Sequence, residues 1–321
     1  MKLGVMAVLF NNDRFEDMLA YFEKLGVEAI EIGCGGFPGN AHCKPDELLA
    51  DEAKLKSFAD TIKAHGLEIS ALSCHGNPVH PDKETAQRAD KVFRSAVLLA
   101  EKLGVKTVIT FSGCPGDCPT AKYPNWVTCA WPDDFVKISD YQWNEVLIPY
   151  WKEAAGFAKE HGVRVALEMH PGFCVYNTET MLRLRAAVGD TIGANFDPSH
   201  LFWQGIDPVR AIRTLGDAVF HFHAKDTKID AYNTSENGVL DYKPYADEAH
   251  RSWIFRTVGY GHDAEVWRDI ISALRLIGYE GALSIEHEDS LMTTREGLEK
   301  AVAFLKESII SAEKPKTIHW A

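Results

Sequence analysis

The chain has 321 residues, 46% of them hydrophobic and 25% charged, with 34 Lys and Arg against 46 Asp and Glu. Its apolar content excludes a disordered chain, and a formal charge of −12 lacks the basic stripe that a nucleic-acid footprint requires. No apolar run approaches the roughly 18 uncharged residues of a membrane span. Seven cysteines scattered along so long a chain are not a disulfide framework, so a reducing, cytoplasmic setting is expected.

The first apolar run, 3–9, turns polar at Asn11-Asn12-Asp13-Arg14 with no small-residue cleavage site, and reads as a buried strand rather than a leader. From there one phrase recurs: a helical pattern, a glycine, then a short apolar run. It stands at Lys24-Leu25-Gly26-Val27, Ala64-His65-Gly66-Leu67, Lys102-Leu103-Gly104-Val105, Glu160-His161-Gly162-Val163 and Leu276-Ile277-Gly278-Tyr279. A glycine just past a helix is what a left-handed C-terminal cap needs, and a Lys or His before it suits the negative end of the helix dipole. The spacing predicts helices at 14–25, 51–65, 82–103, 141–161, 178–188, 207–215, 263–277 and 294–312. Between them fall strands at 28–32, 68–72, 106–111, 164–167, 192–196, 218–222 and 282–285. Strict alternation implies parallel strands buried under helices. Eight units in a single domain spanning 1–321 fit an α/β fold of the (β/α)8 TIM barrel type. The competing open, doubly wound sheet is disfavoured by the count and by the lack of Gly-x-Gly-x-x-Gly after the first strand. Two long stretches, 113–140 after strand four and 227–262 after strand seven, interrupt the rhythm and read as lids on the catalytic face.

Four late strands end in polar residues: Ala166-Leu167-Glu168-Met169-His170, Asn195-Phe196-Asp197-Pro198-Ser199-His200, His221-Phe222-His223-Ala224-Lys225-Asp226 and Ser284-Ile285-Glu286-His287-Glu288. Side chains alternate along a strand, so these groups converge at one rim. Three close carboxylates, Glu168, Asp197 and Glu286, exceed what nearby Lys225 alone can neutralise. A divalent cation held by these three and by His223 resolves the conflict. Such an oxygen-rich set without thiolate suits Mn²⁺ best, with Mg²⁺, Co²⁺ or Zn²⁺ as alternatives. His221, one pleat deeper, reads as core, and Glu288 as a group orienting a neighbour. His170 and Glu31 at strand ends, and His75 in Ser73-Cys74-His75-Gly76-Asn77-Pro78, are candidate pocket residues. Trp126, Trp131, Trp253 and Phe255 can stack on a ligand or pack within the lids. Cys114, Cys118 and Cys129 are spaced too loosely for a zinc knot and read as free thiols, and Lys314-Pro315-Lys316 as a solvated tail.

Taken in order, the Glu after strand five, the Asp-x-x-His after strand six, the His-x-Lys-Asp of strand seven and the Ile-Glu-x-Glu of strand eight resemble the xylose isomerase-like barrel superfamily. That group includes sugar phosphate isomerases and epimerases and the apurinic-site endonuclease family 2. The resemblance runs from Ala29-Ile30-Glu31-Ile32-Gly33 to Glu286-His287-Glu288-Asp289. It implies the same four ligands, and substrate contacts from His200 and from Arg256 within Phe255-Arg256-Thr257-Val258-Gly259-Tyr260-Gly261. The chain departs from ketohexose epimerases in carrying Pro171-Gly172-Phe173-Cys174 where they have a second Glu. The expected activity is a metal-dependent isomerase or epimerase of an unphosphorylated carbohydrate or cyclitol. Glu168 and Glu286 would move a proton beside a carbonyl through a metal-bound enediolate. The alternative is a lyase or dehydratase of a keto-sugar or keto-glycoside; a nuclease is disfavoured by the acidic charge. A small carbohydrate is the expected partner, with no nucleic acid or membrane; a homo-oligomer is an open possibility.

Overall fold

A computed structural model describes residues 1–312; the tail at 314–316 lies outside the described residues. Eight parallel strands close into a barrel: β1 (Lys2–Met6), β2 (Ala29–Gly33), β3 (Glu68–Ser73), β4 (Thr107–Phe111), β5 (Arg164–Glu168), β6 (Ile192–Phe196), β7 (Val219–Ala224) and β10 (Ala282–Ile285). A short antiparallel hairpin, β8 (Asp226–Ile229) with β9 (Trp253–Arg256), stands on the rim directly after β7. Helices cover the outside, and none of the described helices is long and apolar enough to cross a membrane.

The glycine phrase does what its chemistry suggests. Gly26 and Gly104 end their helices in the left-handed region, at φ 69° and 71°, where a side chain would be strained. Asp51, Asp82, Asp207 and Asp263 open helices by accepting backbone N–H groups of the first turn. Outward-facing strand residues such as Ile30, Val108, Leu167 and Phe222 bury against the helices. Trp151 and Trp267 are fully buried there; an aromatic of this size removes roughly 150–250 Å² from water, about 4–6 kcal/mol before entropy is charged.

Inside the barrel the filling changes with depth. Ala71, Ile109, Ala166 and Phe220 form a small apolar cluster of their own. Gly193 makes room for it, since a Cβ there would sit 2.5 Å from the Phe220 ring. Beyond this plug the interior turns polar, with Glu31, Ser73, Asn195, His221, His223 and Ser284 all buried. Parallel strands place these side chains in shared layers, so the polar layer marks the catalytic end.

Several boundaries differ from expectation. The first strand stops at Met6, and Ala7–Phe10 forms a 3-10 turn instead of continuing the run. The helix expected from 141 begins at Asp134 and passes through a wide turn, Gln142–Leu147, into Ile148–Glu160. Buried Gln142 explains the irregular turn: its amide donates to the carbonyls of Pro115, Gly116 and Asn125, tying the helix to the base of the first lid. The second lid carries the hairpin and a short helix, Ala231–Asn237.

Candidate metal centre and its cleft

Glu168 closes β5, Asp197 follows β6, His223 lies on β7 and Glu286 follows β10. Each offers a ligand atom, and these atoms all lie within 4.8 Å of one another. Asp197 is also the N-cap of the short helix Pro198–Phe202: its Oδ1 accepts from Ser199 N at 2.8 Å, which leaves Oδ2 for the cavity. His223 is set in the same way. Its Nε2 lies 2.9 Å from Glu31 Oε2, so the ring presents Nδ1 toward the carboxylates, 3.0 Å from Glu286 and 3.3 Å from Glu168.

Two buried atoms, Asp197 Oδ2 and His223 Nδ1, have no hydrogen-bond partner among the described residues. Lys225 Nζ stands at ion-pair distance from Asp197 Oδ2, 3.0 Å, but out of line for a hydrogen bond. Unsatisfied buried polar atoms are costly. A lone pair on an imidazole fixed in its tautomer, beside three carboxylates, fits a divalent cation. Lys225 lies also 2.9 Å from Glu286 and 3.0 Å from Glu288. Lys225 offsets one of these charges, and a dication held by the quartet would offset two more.

The titrating groups reflect this crowding. Burial opposes ionisation of Glu168, yet the imidazoles of His200, His223 and His75 gathered around it outweigh burial and hold the carboxyl well below its ordinary range. Burial likewise disfavours the charged forms of His223 and Lys225, but the surrounding carboxylates raise both well above their usual values. For Glu286, burial is overcome by Lys225 and His223, and its carboxyl is also lowered. His170, by contrast, is driven down to about 3 by burial and by neighbouring His200.

The candidate pocket residues separate into two groups. His75 Nε2 lies 3.0 Å from Glu168 Oε2, and His200 Nε2 lies 3.2 Å from Glu168 Oε1. His170 packs 4.0 Å from the His200 ring, centroid to centroid, and lines the open cleft. Glu31 and Arg256 require correction. Glu31 is fully buried, tied to His223, Ser73 and Ser284 at 2.7 Å from the last, so it supports a ligand rather than lining the pocket. Burial raises its pKa and His223 with His221 lowers it, leaving it at about 2. Arg256 pairs with Asp289 through Nε at 3.0 Å, across a contact between the hairpin and the loop after β10.

His221 is core, as expected, with Nδ1 3.0 Å from Asn195 Oδ1. Asn195 itself was missed; it donates to Glu168 Oε2 at 3.0 Å. Its signal was its place two residues before Asp197 on the inward face. Asp226 was also missed. Fully buried, it accepts from the backbone of Gly259, Gly261 and His262 and from Trp267 Nε1, and so fixes the loop after β9. Gly261 is required there, because a Cβ would meet Thr227 O at 2.3 Å.

Two chambers meet at His170. The inner one, about 180 Å³, holds Glu168, Lys225 and Glu286. The outer one, about 350 Å³, is walled by Trp126, Tyr245 and Trp253 from the lids, by Trp203 at the end of the short helix after β6, and by His200. Trp131 is exposed and lines neither. Cys118 and Cys129 are exposed free thiols and Cys114 is a buried one; no described cysteine belongs to a metal-ligand cluster.

A closed barrel with a carboxylate–imidazole quartet at its C-terminal rim defines the class. The profile described as xylose isomerase-like TIM barrel matches residues 19–308, and the chain belongs to this family. Among sequence relatives, an uncharacterised Bacillus subtilis protein, YfiH, is 40% identical over 96% of this chain and 99% of its own. An inosose dehydratase of Geobacillus thermodenitrificans is 23% identical over 89% of each chain. Among solved structures, the IolI protein with a bound zinc atom has a TM-score of 0.65 at 21% identity, covering 96% of this chain and 98% of its own. A D-psicose 3-epimerase in the presence of D-fructose has a TM-score of 0.62 at 16% identity, covering 96% and 99%.

Proposed function

We propose that the protein is a divalent-metal-dependent isomerase or epimerase of an unphosphorylated sugar or cyclitol. The observation that carries the reading is the pair of buried, unpartnered ligand atoms, Asp197 Oδ2 and His223 Nδ1, inside a quartet completed by Glu168 and Glu286. A dication held there, Mn²⁺ by preference for so oxygen-rich a set, would polarise a carbonyl and its neighbouring hydroxyl. Glu168 and Glu286 approach the cavity from β5 and β10. One removes the proton beside the carbonyl, and the other returns it, to the opposite face for epimerisation or to the carbonyl carbon for isomerisation. His75, His200 and Asn195 hold Glu168 in position, and Lys225 holds Glu286. The lids exclude water from the enediolate. Basic groups near the cavity are engaged: Lys225 by three carboxylates and Arg256 by Asp289. That disfavours a phosphate ester.

A dehydratase is the second reading. It is favoured by the inosose dehydratase relative, and by His200 and His170 lining the cleft, either of which could hydrogen-bond an expelled hydroxyl. Incubation of the Mn²⁺-loaded protein with a panel of ketohexoses and inososes in D₂O, followed by NMR, tests both. The proposal expects deuterium beside the carbonyl and an inverted or transposed isomer. Loss of water to an unsaturated ketone supports the second reading, and absence of exchange with every compound rejects both.

A further inference from the structure

We propose that the outer aromatic chamber is a binding subsite for a second ring, so that the preferred ligand is a glycoside rather than a free monosaccharide; the inference rests on the quartet chamber being the reaction site. The inner chamber, at about 180 Å³, is smaller than the ~300 Å³ at which small-molecule sites usually begin. The outer chamber adds about 350 Å³ and shares His170 with it. The wall between them is continuous. Lys225 Nζ lies 4.7 Å from the Phe255 ring, Phe255 packs 5.2 Å from Trp253, and Trp253 stacks on Trp203 at 4.7 Å and 6°.

This wall is built before any ligand arrives. Arg251, itself buried, lies over both Tyr245 and Trp253 at 4.4 and 4.6 Å, and its Nε donates to Trp253 O. Trp253 Nε1 donates to Val239 O at 3.1 Å. Rigid aromatic faces bind a ring without the ordering cost of flexible side chains. Two other indoles of the chamber are not satisfied: the buried N–H groups of Trp126 and Trp203 have no protein partner among the described residues. The partly exposed rings of Trp126 and Tyr245, beside these unpartnered donors, match a flat ring with an apolar face and an oxygen-bearing edge. A pyranose and a phenolic ring share that chemistry.

Calorimetric titration of the Mn²⁺-loaded protein with methyl β-glucoside, cellobiose and arbutin separates the cases. The methyl glycoside carries no second ring, cellobiose a sugar and arbutin a phenol. Cellobiose or arbutin should bind at least tenfold tighter than the methyl glycoside, and whichever does so identifies the ring. Trp126→Ala should reduce that advantage below threefold, and so should Leu240→Asp at the exposed mouth, where folding is not at stake. Equal binding of all three compounds, or an advantage that survives both substitutions, overturns the proposal. Neither result bears on proton exchange with free ketoses, which tests the reaction itself.

Discussion

Strands β5, β6, β7 and β10 end in, or run at once into, Glu168, Asp197, His223 with Lys225, and Glu286, whereas β1 to β4 end in Met6, Gly33, Ser73 and Phe111. The first group supplies all four members of the quartet. The second supplies Glu31 and Ser73 beneath the site, His75 beside it, and the Phe111 ring that stacks on Phe173 at 4.2 Å to form a wall. One half of the rim therefore carries the candidate ligands and the other half packs beneath and beside them. A group such as Glu31 can thus orient a candidate ligand while lining neither chamber.

The sharpest way to break this division is to remove a ligand. His223→Ala deletes the only nitrogen of the quartet and strands Glu31, so dication affinity should fall more than ~100-fold and turnover should vanish; metal content by mass spectrometry and NMR turnover are the checks. Glu286→Gln should likewise abolish turnover and weaken metal affinity. Glu31→Gln tests the supporting half. Losing the carboxylate that fixes the His223 tautomer should cost about 10–100-fold in metal affinity. An unchanged affinity would return Glu31 to the role of bystander.

Asp226→Ala removes the buried acceptor of several N–H groups in the loop after β9, and should lower stability by about 3 kcal/mol or more in urea denaturation. The loop then loosens even though no ligand is touched.

Within the ligand-bearing half, the pH dependence of the metal-free protein sets two kinds of buried histidine against each other. Burial lowers His170 to about 3 and His221 to about 4, from an ordinary 6.5. The unfolded chain then binds more protons, and stability falls as pH drops from about 6 to 4.5, by up to about 1.4 kcal/mol per pH unit for each group. His223 acts in the opposite sense: despite burial, Glu31 and Glu286 raise it, so its contribution is complete below 6.5 and is lost as pH rises through its folded value. The urea midpoint should peak near pH 6.5, with a shallower acid limb in His170→Asn; a midpoint that rises steadily toward pH 4.5 would contradict this. The smallest effect belongs to the lid thiols. Cys118→Ser and Cys129→Ser should each shift stability by less than about 0.5 kcal/mol and leave metal content unchanged.

The quartet was legible because its members break the apolar pattern at strand ends, with His223 and Lys225 two residues apart on one face. The barrel was legible because Gly26, Gly104 and their equivalents punctuate five of the strand–helix units. Glu31 was misplaced for a physical reason. Its partners Ser73 and Ser284 lie 42 and 253 residues away, and only barrel closure brings β1 beside β10. Arg256 was misplaced similarly, since Asp289 lies 33 residues further on and no local pattern couples them. The early start of the helix at Asp134 depends on Gln142 bonding to carbonyls up to 27 residues back, which no periodicity encodes.

Titration of the metal-free protein with Mn²⁺ tests the centre most directly. One ion per chain should bind, and both Asp197→Asn and His223→Ala should abolish that binding while the proteins remain folded by circular dichroism. A wild-type protein that takes up no dication, its carboxylates balanced by Lys225 and a protonated His223, would contradict the assignment.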